Sequence, residues 1–292
     1  EMTVLEHTYD EVDYISLHSY YKLLDDDLGA FLAQSLTMDQ YIRTVTAACD
    51  VMRAKKRSAR RIMLSFDEWN VWYHANEHDR ALMKDEPWQV APPLLEEAYT
   101  LEDALLVGCL LITLLRHADR VKVACIAQLV NVIAPIMTET GGPAWRQTIF
   151  HPFAQMSRLG RGRVLRARVE CDTYGATYYD PRGPQDLYFP IPAAPYLKLA
   201  AVGNESGGGL TLFALNRDLE QAMEVAVEAR GFSGLRLAEA SQLRDDDLAA
   251  VNTKEAPDRV RPTKLEAAVD GDRLRLNLAP ASWNVVSFAP AA

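Results

Sequence analysis

Two patterns of apolar and polar positions divide the chain. Over residues 1–160, short apolar runs alternate with longer stretches in which apolar residues recur every three or four positions. Val12 to Leu17 reads as a strand ending in His18, Ser19, Tyr20 and Tyr21. Met38 to Arg57 carries Tyr41, Ile42, Val45, Cys49 and Met52 at helical spacing. Ile62 to Phe66 is a second strand, short and apolar throughout, as in a strand buried on both faces. Leu94 to His117 reads as a long helix and Val121 to Leu129 as a third strand. Gly141-Gly142-Pro143 marks a loop, and Trp145 to Leu159 reads as a further helix. This alternation predicts a parallel sheet with right-handed crossovers, and three such units do not close a barrel.

After Arg161 the period drops towards two. Val164 to Cys171, Leu197 to Val202, Leu210 to Asn216, Ala222 to Val227, Leu235 to Ala240, Arg273 to Leu278 and Trp283 to Phe288 are short alternating runs. Turn residues separate them, among them Gly183-Pro184, Gly203-Asn204, Gly207 to Gly209 and Asp270-Gly271-Asp272. The polar stretch from Asp245 to Pro262 reads as a long loop. This is the pattern of an all-β sandwich or jelly roll. The expected organisation is a barrel-like unit over residues 1–160 and a β-sandwich over 161–292.

Composition narrows the function. The 292 residues are 49% hydrophobic and carry a net charge of −9, a poor match to nucleic acid. The basic cluster from Arg53 to Arg61 reads as a solvated helix end. The apolar stretch from Ala104 to Leu115 is too short to span a bilayer and reads as a core helix. Cys49, Cys109, Cys125 and Cys171 form no CxxC pair. Three of them lie in apolar runs or on helical faces and read as small buried hydrophobes, which favours a reducing, cytoplasmic setting. No signal peptide is visible, and the chain opens on Glu1 rather than Met, so residues upstream are expected.

The chemistry gathers where the three strands end. The second run stops at Asp67 and Glu68, followed by Trp69, Asn70, Trp72 and Tyr73; the first ends at His18 and Tyr20; the third offers Gln128 and Asn131. In parallel α/β architectures the carboxyl ends of strands carry the chemistry. A carboxylate among aromatic rings suits a sugar, whose C–H faces pack on rings while its hydroxyls seek polar groups. Glu68 fits a carboxylate nucleophile, against the alternative of a salt-bridged strand-end acid. Tyr20 fits a hydrogen bond to that acid, or a rim-capping aromatic. Gln128 fits a donor to a sugar hydroxyl, or an amide satisfying a loop. Trp72 and Trp145 fit sugar platforms, or core packing. Two further motifs are weaker. His74-Ala75-Asn76-Glu77-His78 matches a zinc pattern but enters a charged loop. Asn204-Glu205 lies among glycines and reads as a hairpin turn.

The segments H-T-Y-D-E-V-D-Y-I-S-L-H-S-Y-Y, S-F-D-E-W-N-V-W-Y and A-Q-L-V-N-V-I-A-P-I-M-T, with L-T-L-F-A-L-N-R from Leu210 to Arg217, resemble the α-L-arabinofuranosidases of glycoside hydrolase family 51. The resemblance covers essentially the whole chain. It implies the C-terminal part of a (β/α)8 TIM barrel followed by a jelly-roll β-sandwich. It implies Glu68 as the nucleophile of a retaining glycosidase, Tyr20 as its hydrogen-bonding partner, Gln128 as a ligand of the arabinose ring, and His18 and Trp72 in the pocket wall. No metal or organic cofactor is implied, and no membrane partner. The expected partners are arabinofuranoside oligosaccharides or polysaccharides, with a homo-oligomer at full length. The family's acid/base glutamate lies in an Asn-Glu pair upstream of the Tyr20 motif, where this chain has no residues. The rival readings are an inactive fragment or subunit binding sugar weakly, and a related enzyme acting on β-glucans or xylosides. With three barrel units and open sheet edges, the chain alone is expected to fold poorly.

Overall fold

The computed structural model describes residues 1–73, 81, 83–90, 92, 95–180, 187–204, 207–232 and 234–290. The first unit runs α1 (Met2–Thr8), β1 (Tyr14–Tyr21), α2 (Leu28–Ala33), α3 (Ser35–Lys56), β2 (Met63–Val71), α4 (Leu101–Arg116) and β3 (Val121–Ile126). A small hairpin, β4 (Ile136–Thr138) and β5 (Ala144–Arg146), leads to α5 (Phe150–Leu159). β1, β2 and β3 form a parallel sheet with β2 in the centre.

The apolar stripe of α3 (Met38, Ile42, Val45, Cys49 and Met52) is buried, and its basic end at Arg53, Lys55 and Lys56 closes on Arg57 in the left-handed conformation. Arg120, almost fully buried, donates through Nη1 to both carboxylate oxygens of Asp50 at 3.0 and 2.9 Å, and through Nη2 to the Ile62 carbonyl at 3.1 Å. It ties the starts of β2 and β3 to α3.

The remaining strands are β6 (Gly162–Leu165), β7 (Thr173–Asp180), β8 (Leu187–Pro195), β9 (Leu197–Asn204), β10 (Leu210–Asn216), β11 (Met223–Glu228), β12 (Leu235–Leu243), β13 (Thr263–Lys264), β14 (Ala267–Asp270), β15 (Arg273–Leu278) and β16 (Ser282–Pro290). One sheet has the order β13-β12-β16-β10-β9-β6 and a second the order β11-β15-β14. β7 and β8 pair as a separate hairpin.

β10 is buried along its whole length, and β9 and β16 along most of theirs. The alternation explains why. Leu199, Ala201, Leu212 and Ala214 face the smaller sheet, while Ala200, Val202, Phe213, Leu215, Trp283 and Val285 join the core of the first unit. The larger sheet is therefore a middle layer. α4 lies between it and the parallel sheet, with every residue from Leu101 to Leu114 except Glu102 buried. Gly108 permits the contact: a Cβ there would lie 2.6 Å from Trp283 Cε3. Trp283 Nε1 donates to Gln155 Oε1 at 2.7 Å, and Gln155 Nε2 donates to Ser241 Oγ at 2.9 Å, which joins α5 to β16 and β12. At the same junction, Ser35 Oγ accepts from Lys198 Nζ at 3.1 Å and from Arg217 Nη2 at 2.6 Å, both cations being buried.

Several elements differ from the sequence pattern. The long helix expected from Leu94, a residue outside the described ones, starts at Leu101, where Thr100 and Asp103 form a reciprocal capping box. β3 stops at Ile126, where the chain turns through Asn131 and Ile133, both with positive φ. Trp145 lies in β5, not in a helix; α5 begins at Phe150. The strand expected over Val164 to Cys171 ends at Leu165. The β7–β8 pair, rich in proline, was not legible as strands. Cys49 and Cys109 are buried, but Cys125 is exposed on β3 and Cys171 is intermediate. Among the described residues no helix is long and apolar enough to cross a membrane.

Candidate active site

β2 carries one residue more than either neighbour at its carboxyl end. Between paired positions it advances from Ser65 to Glu68 while β1 advances from Ser16 to His18, and from Phe66 to Trp69 while β3 advances from Ala124 to Ile126. A bulge lets consecutive side chains share one side of a strand. Asp67 and Glu68 do so, and both meet His18: Nε2 lies 3.6 Å from Asp67 Oδ1, and Nδ1 lies 3.3 Å from Glu68 Oε2. Before the bulge, Leu64 and Phe66 stay in the core.

Tyr20 donates from its hydroxyl to Glu68 Oε1 at 2.6 Å. Burial, reinforced by the hydrogen bond to that carboxylate, pushes the Tyr20 phenol well above its ordinary range, so it stays a donor. The half-buried Trp72 ring stands edge-on to Tyr20, 4.9 Å between centroids. Ser16 Oγ donates to Asp67 Oδ1 at 2.7 Å and lies 3.0 Å from His18 Nε2. The sequence-predicted residues His18, Tyr20, Glu68 and Trp72 thus form one cluster, and Ser16 joins it without having been foreseen from the sequence. A serine at period two before His18 on the same strand was the available signal.

Asn70 is fully buried and serves the frame. Its Nδ2 donates to the carbonyls of Ala127 at 2.8 Å and Ile133 at 2.7 Å and lies 3.2 Å from Tyr99 Oη, while its Oδ1 accepts from Val71 N at 2.8 Å. These bonds pin the loop that presents Gln128, whose side chain is exposed just past the end of β3. Asn131 is a loop-forming amide: its Oδ1 accepts from Thr138 N at 2.8 Å and Thr138 Oγ1 at 3.1 Å. Trp145 pairs with Met137 across the β4–β5 hairpin and is half-buried.

Behind the rim, Tyr73 Oη donates to Asp103 Oδ1 at 2.7 Å, and Thr100 N donates to Asp103 Oδ2 at 2.8 Å. Burial raises the Asp103 carboxyl to about 6, against the opposing pull of the Tyr73 and Thr100 hydrogen bonds. The helix cap of α4 thereby anchors the segment carrying Trp72. Among the described residues no group of three or more His, Cys, Asp or Glu side chains is arranged to hold a metal ion. The His74 to His78 motif and Glu205 lie outside the described residues.

Known proteins share this arrangement of strands. Residues 67–282 match the model of the α-L-arabinofuranosidase C-terminal domain. The chain is 50% identical over 287 residues to an intracellular exo-α-(1→5)-L-arabinofuranosidase of Halalkalibacterium halodurans, covering 98% of this chain and 54% of that protein. It is 41% identical over 295 residues to an exo-α-(1→6)-L-arabinofuranosidase of Bifidobacterium longum, again with 98% and 54% coverage. Among solved structures, a family 51 α-L-arabinofuranosidase from Bifidobacterium longum superimposes with a TM-score of 0.84 at 36% identity, over 99% of this chain and 55% of that one. The arabinose complex of the Thermotoga maritima α-L-arabinofuranosidase gives a TM-score of 0.80 at 26% identity, over 98% and 54%. The chain spans about half the length of the relatives it matches. Its fold is the C-terminal part of their (β/α)8 barrel followed by a jelly-roll sandwich. On the family model and the 50% identity together, this chain belongs to the α-L-arabinofuranosidases of glycoside hydrolase family 51, as their C-terminal portion.

Proposed function

We propose that this chain supplies the nucleophile half of a retaining exo-α-L-arabinofuranosidase, which releases terminal non-reducing arabinofuranosyl residues from oligo- and polysaccharides. The observation that carries the reading is the Glu68 carboxylate, held by Tyr20 at 2.6 Å at the carboxyl end of the central parallel strand. Glu68 attacks the anomeric carbon, the leaving oxygen takes a proton from an acid, and water then hydrolyses the glycosyl ester. Retention asks for two carboxyl groups about 5–5.5 Å apart. Asp67 adjoins Glu68 on the same strand and is engaged by Ser16, so the acid is assigned to a barrel strand outside this chain.

Gln128 and Trp72 contact the sugar ring, and Trp145 borders the approach on the β4–β5 hairpin. The division into a barrel unit over 1–160 and a sandwich over 161–292 belongs to the same proposal, as does a homo-oligomer at full length. Relatives named as intracellular support a cytoplasmic setting, and their names include both (1→5) and (1→6) linkages.

The test is turnover of aryl arabinofuranoside, xyloside and glucoside by a protein carrying this chain with a complete barrel. Arabinofuranoside is expected to be cleaved far faster, and Glu68→Ala to abolish turnover without lowering the melting temperature. Equal rates on xyloside or glucoside would favour the related-enzyme reading. A second reading, weak sugar binding by the chain alone, rests on the missing acid; arabinofuranoside turnover by the isolated chain would contradict that assignment.

A further inference from the structure

We propose that Ser16 and Asp67 are positioning residues that fix the ring of His18 against the nucleophile; this rests on the reading of Glu68 as nucleophile. The hydroxyl of Ser16 has one proton, and it points to Asp67 Oδ1 at 2.7 Å. An ionised carboxylate can only accept. The contact between Ser16 Oγ and His18 Nε2 at 3.0 Å must therefore run the other way, with Nε2–H donating to the serine oxygen. That assigns a proton to Nε2 and leaves Nδ1 facing Glu68 Oε2, 3.3 Å away, where it donates only in the ring form that carries a second proton. Tyr20 already occupies Glu68 Oε1. The two oxygens of the nucleophile are thus addressed by different strand-β1 side chains, and the bulge in β2 brings Asp67 to the same side to complete the chain of contacts.

The chemical consequence lies in the second displacement. When water attacks the glycosyl-enzyme, the bond between the anomeric carbon and the Glu68 oxygen breaks, and its electron pair returns to the carboxylate. Tyr20 meets one oxygen. In the ring form carrying both protons, Nδ1–H of His18 donates to the other. Asp67 and Ser16 touch no substrate atom; they keep the ring from rotating about χ2 and presenting the wrong edge. A ring free to flip can turn either nitrogen to Ser16, and only one orientation puts Nε2–H on the serine and Nδ1 towards Glu68. With about half of both the His18 and the Asp67 side-chain surfaces exposed, the ring has room to turn once Ser16 is removed.

The experiment uses the enzyme with a complete barrel and an aryl arabinofuranoside whose hydrolysis is limited by the second step. Ser16→Ala and Asp67→Asn are each expected to lower kcat by roughly tenfold or more, with KM unchanged or lower, and to move the pH profile of kcat. Ser16→Thr, which keeps the hydroxyl, is expected to restore both. 15N-histidine spectra give a readout independent of turnover, with His18 assigned by the loss of its signals in His18→Gln. The parent and Ser16→Thr are expected to hold the proton on Nε2, and Ser16→Ala to lose that fixed tautomer. The proposal is overturned if Ser16→Ala and Asp67→Asn stay within twofold of the parent kcat, if Thr rescues nothing, or if the His18 tautomer is the same with and without the hydroxyl. A Glu68→Ala enzyme that still turns over would instead overturn the nucleophile reading, whatever the Ser16 variants show.

Discussion

α4 and β3 are neighbours in the chain, and both begin as apolar runs, yet they end in opposite environments. α4 is covered by the parallel sheet on one side and by the larger sheet of the sandwich on the other. On β3, Val121 is buried, but Lys122 to Cys125 are exposed and Val123 keeps 37% of its surface in contact with solvent. Among the described residues β3 pairs with β2 alone, and its second edge has no strand partner. Hydrophobicity recruits burial only where a partner layer exists, and here the sandwich supplies one for α4 while β3 has none among the described residues. The site sits on that second, incompletely covered region, which accounts for the partial exposure of His18, Asp67 and Gln128.

The comparison can be broken most severely at the junction. Trp283→Ala leaves a hole against Gly108 and strands the Gln155 carbonyl, and is expected to cost about 3–5 kcal/mol in thermal or denaturant unfolding. Loss of less than about 1 kcal/mol would show that the two units do not depend on this contact. Next comes Asn70→Ala, which leaves the carbonyls of Ala127 and Ile133 without their donor. A loss of about 2–3 kcal/mol is expected, together with a raised KM for arabinofuranoside, because the Gln128 loop is released.

Lys198 sharpens the contrast from the electrostatic side. Burial, with the nearby Arg217 guanidinium, pushes its ammonium down to about 7 from 10.5. A depressed folded value means that the associated stability is present above the unfolded value and is lost as pH falls towards 7. Melting temperature should therefore rise between pH 7 and 10, in so far as Lys198 controls it. Lys198→Met should flatten that slope and gain on the order of 1–3 kcal/mol at pH 7. An unchanged slope would contradict the assignment. The smallest effect belongs to β3. Val123→Thr and Cys125→Ser should change the stability of this chain by less than about 0.5 kcal/mol. The same changes should cost more in a protein with the complete barrel. A large loss in the isolated chain would mean that β3 is covered after all. The isolated chain itself is expected to melt with poor cooperativity, and a sharp two-state melt would count against the open-sheet account.

The sequence made the strand–helix alternation and the cluster of His18, Tyr20, Glu68 and Trp72 legible, because period and strand-end polarity are local properties. The bulge at Asp67 was not legible: it is a property of register between strands. Ser16 was missed for the same reason, since its partner is fifty-one positions away. Trp145 was read as the start of the helix that follows the Gly141-Gly142-Pro143 loop. Its backbone instead pairs across the Gly141-Gly142 turn, while Gln147 accepts from Tyr99 N and donates to the carbonyls of Glu97 and Ala134. Three of the four cysteines were read as buried, but only Cys49 and Cys109 are; Cys125, on β3, has no covering layer among the described residues.

The central claim is that Glu68 is the nucleophile. It is tested most directly by trapping the glycosyl-enzyme with a 2-fluoro-arabinofuranoside bearing a dinitrophenolate leaving group, which departs without help from an acid. Peptide mass mapping is expected to place one arabinofuranosyl adduct on Glu68, with none in Glu68→Ala. An adduct on any other residue, or labelling that survives Glu68→Ala, would contradict the account.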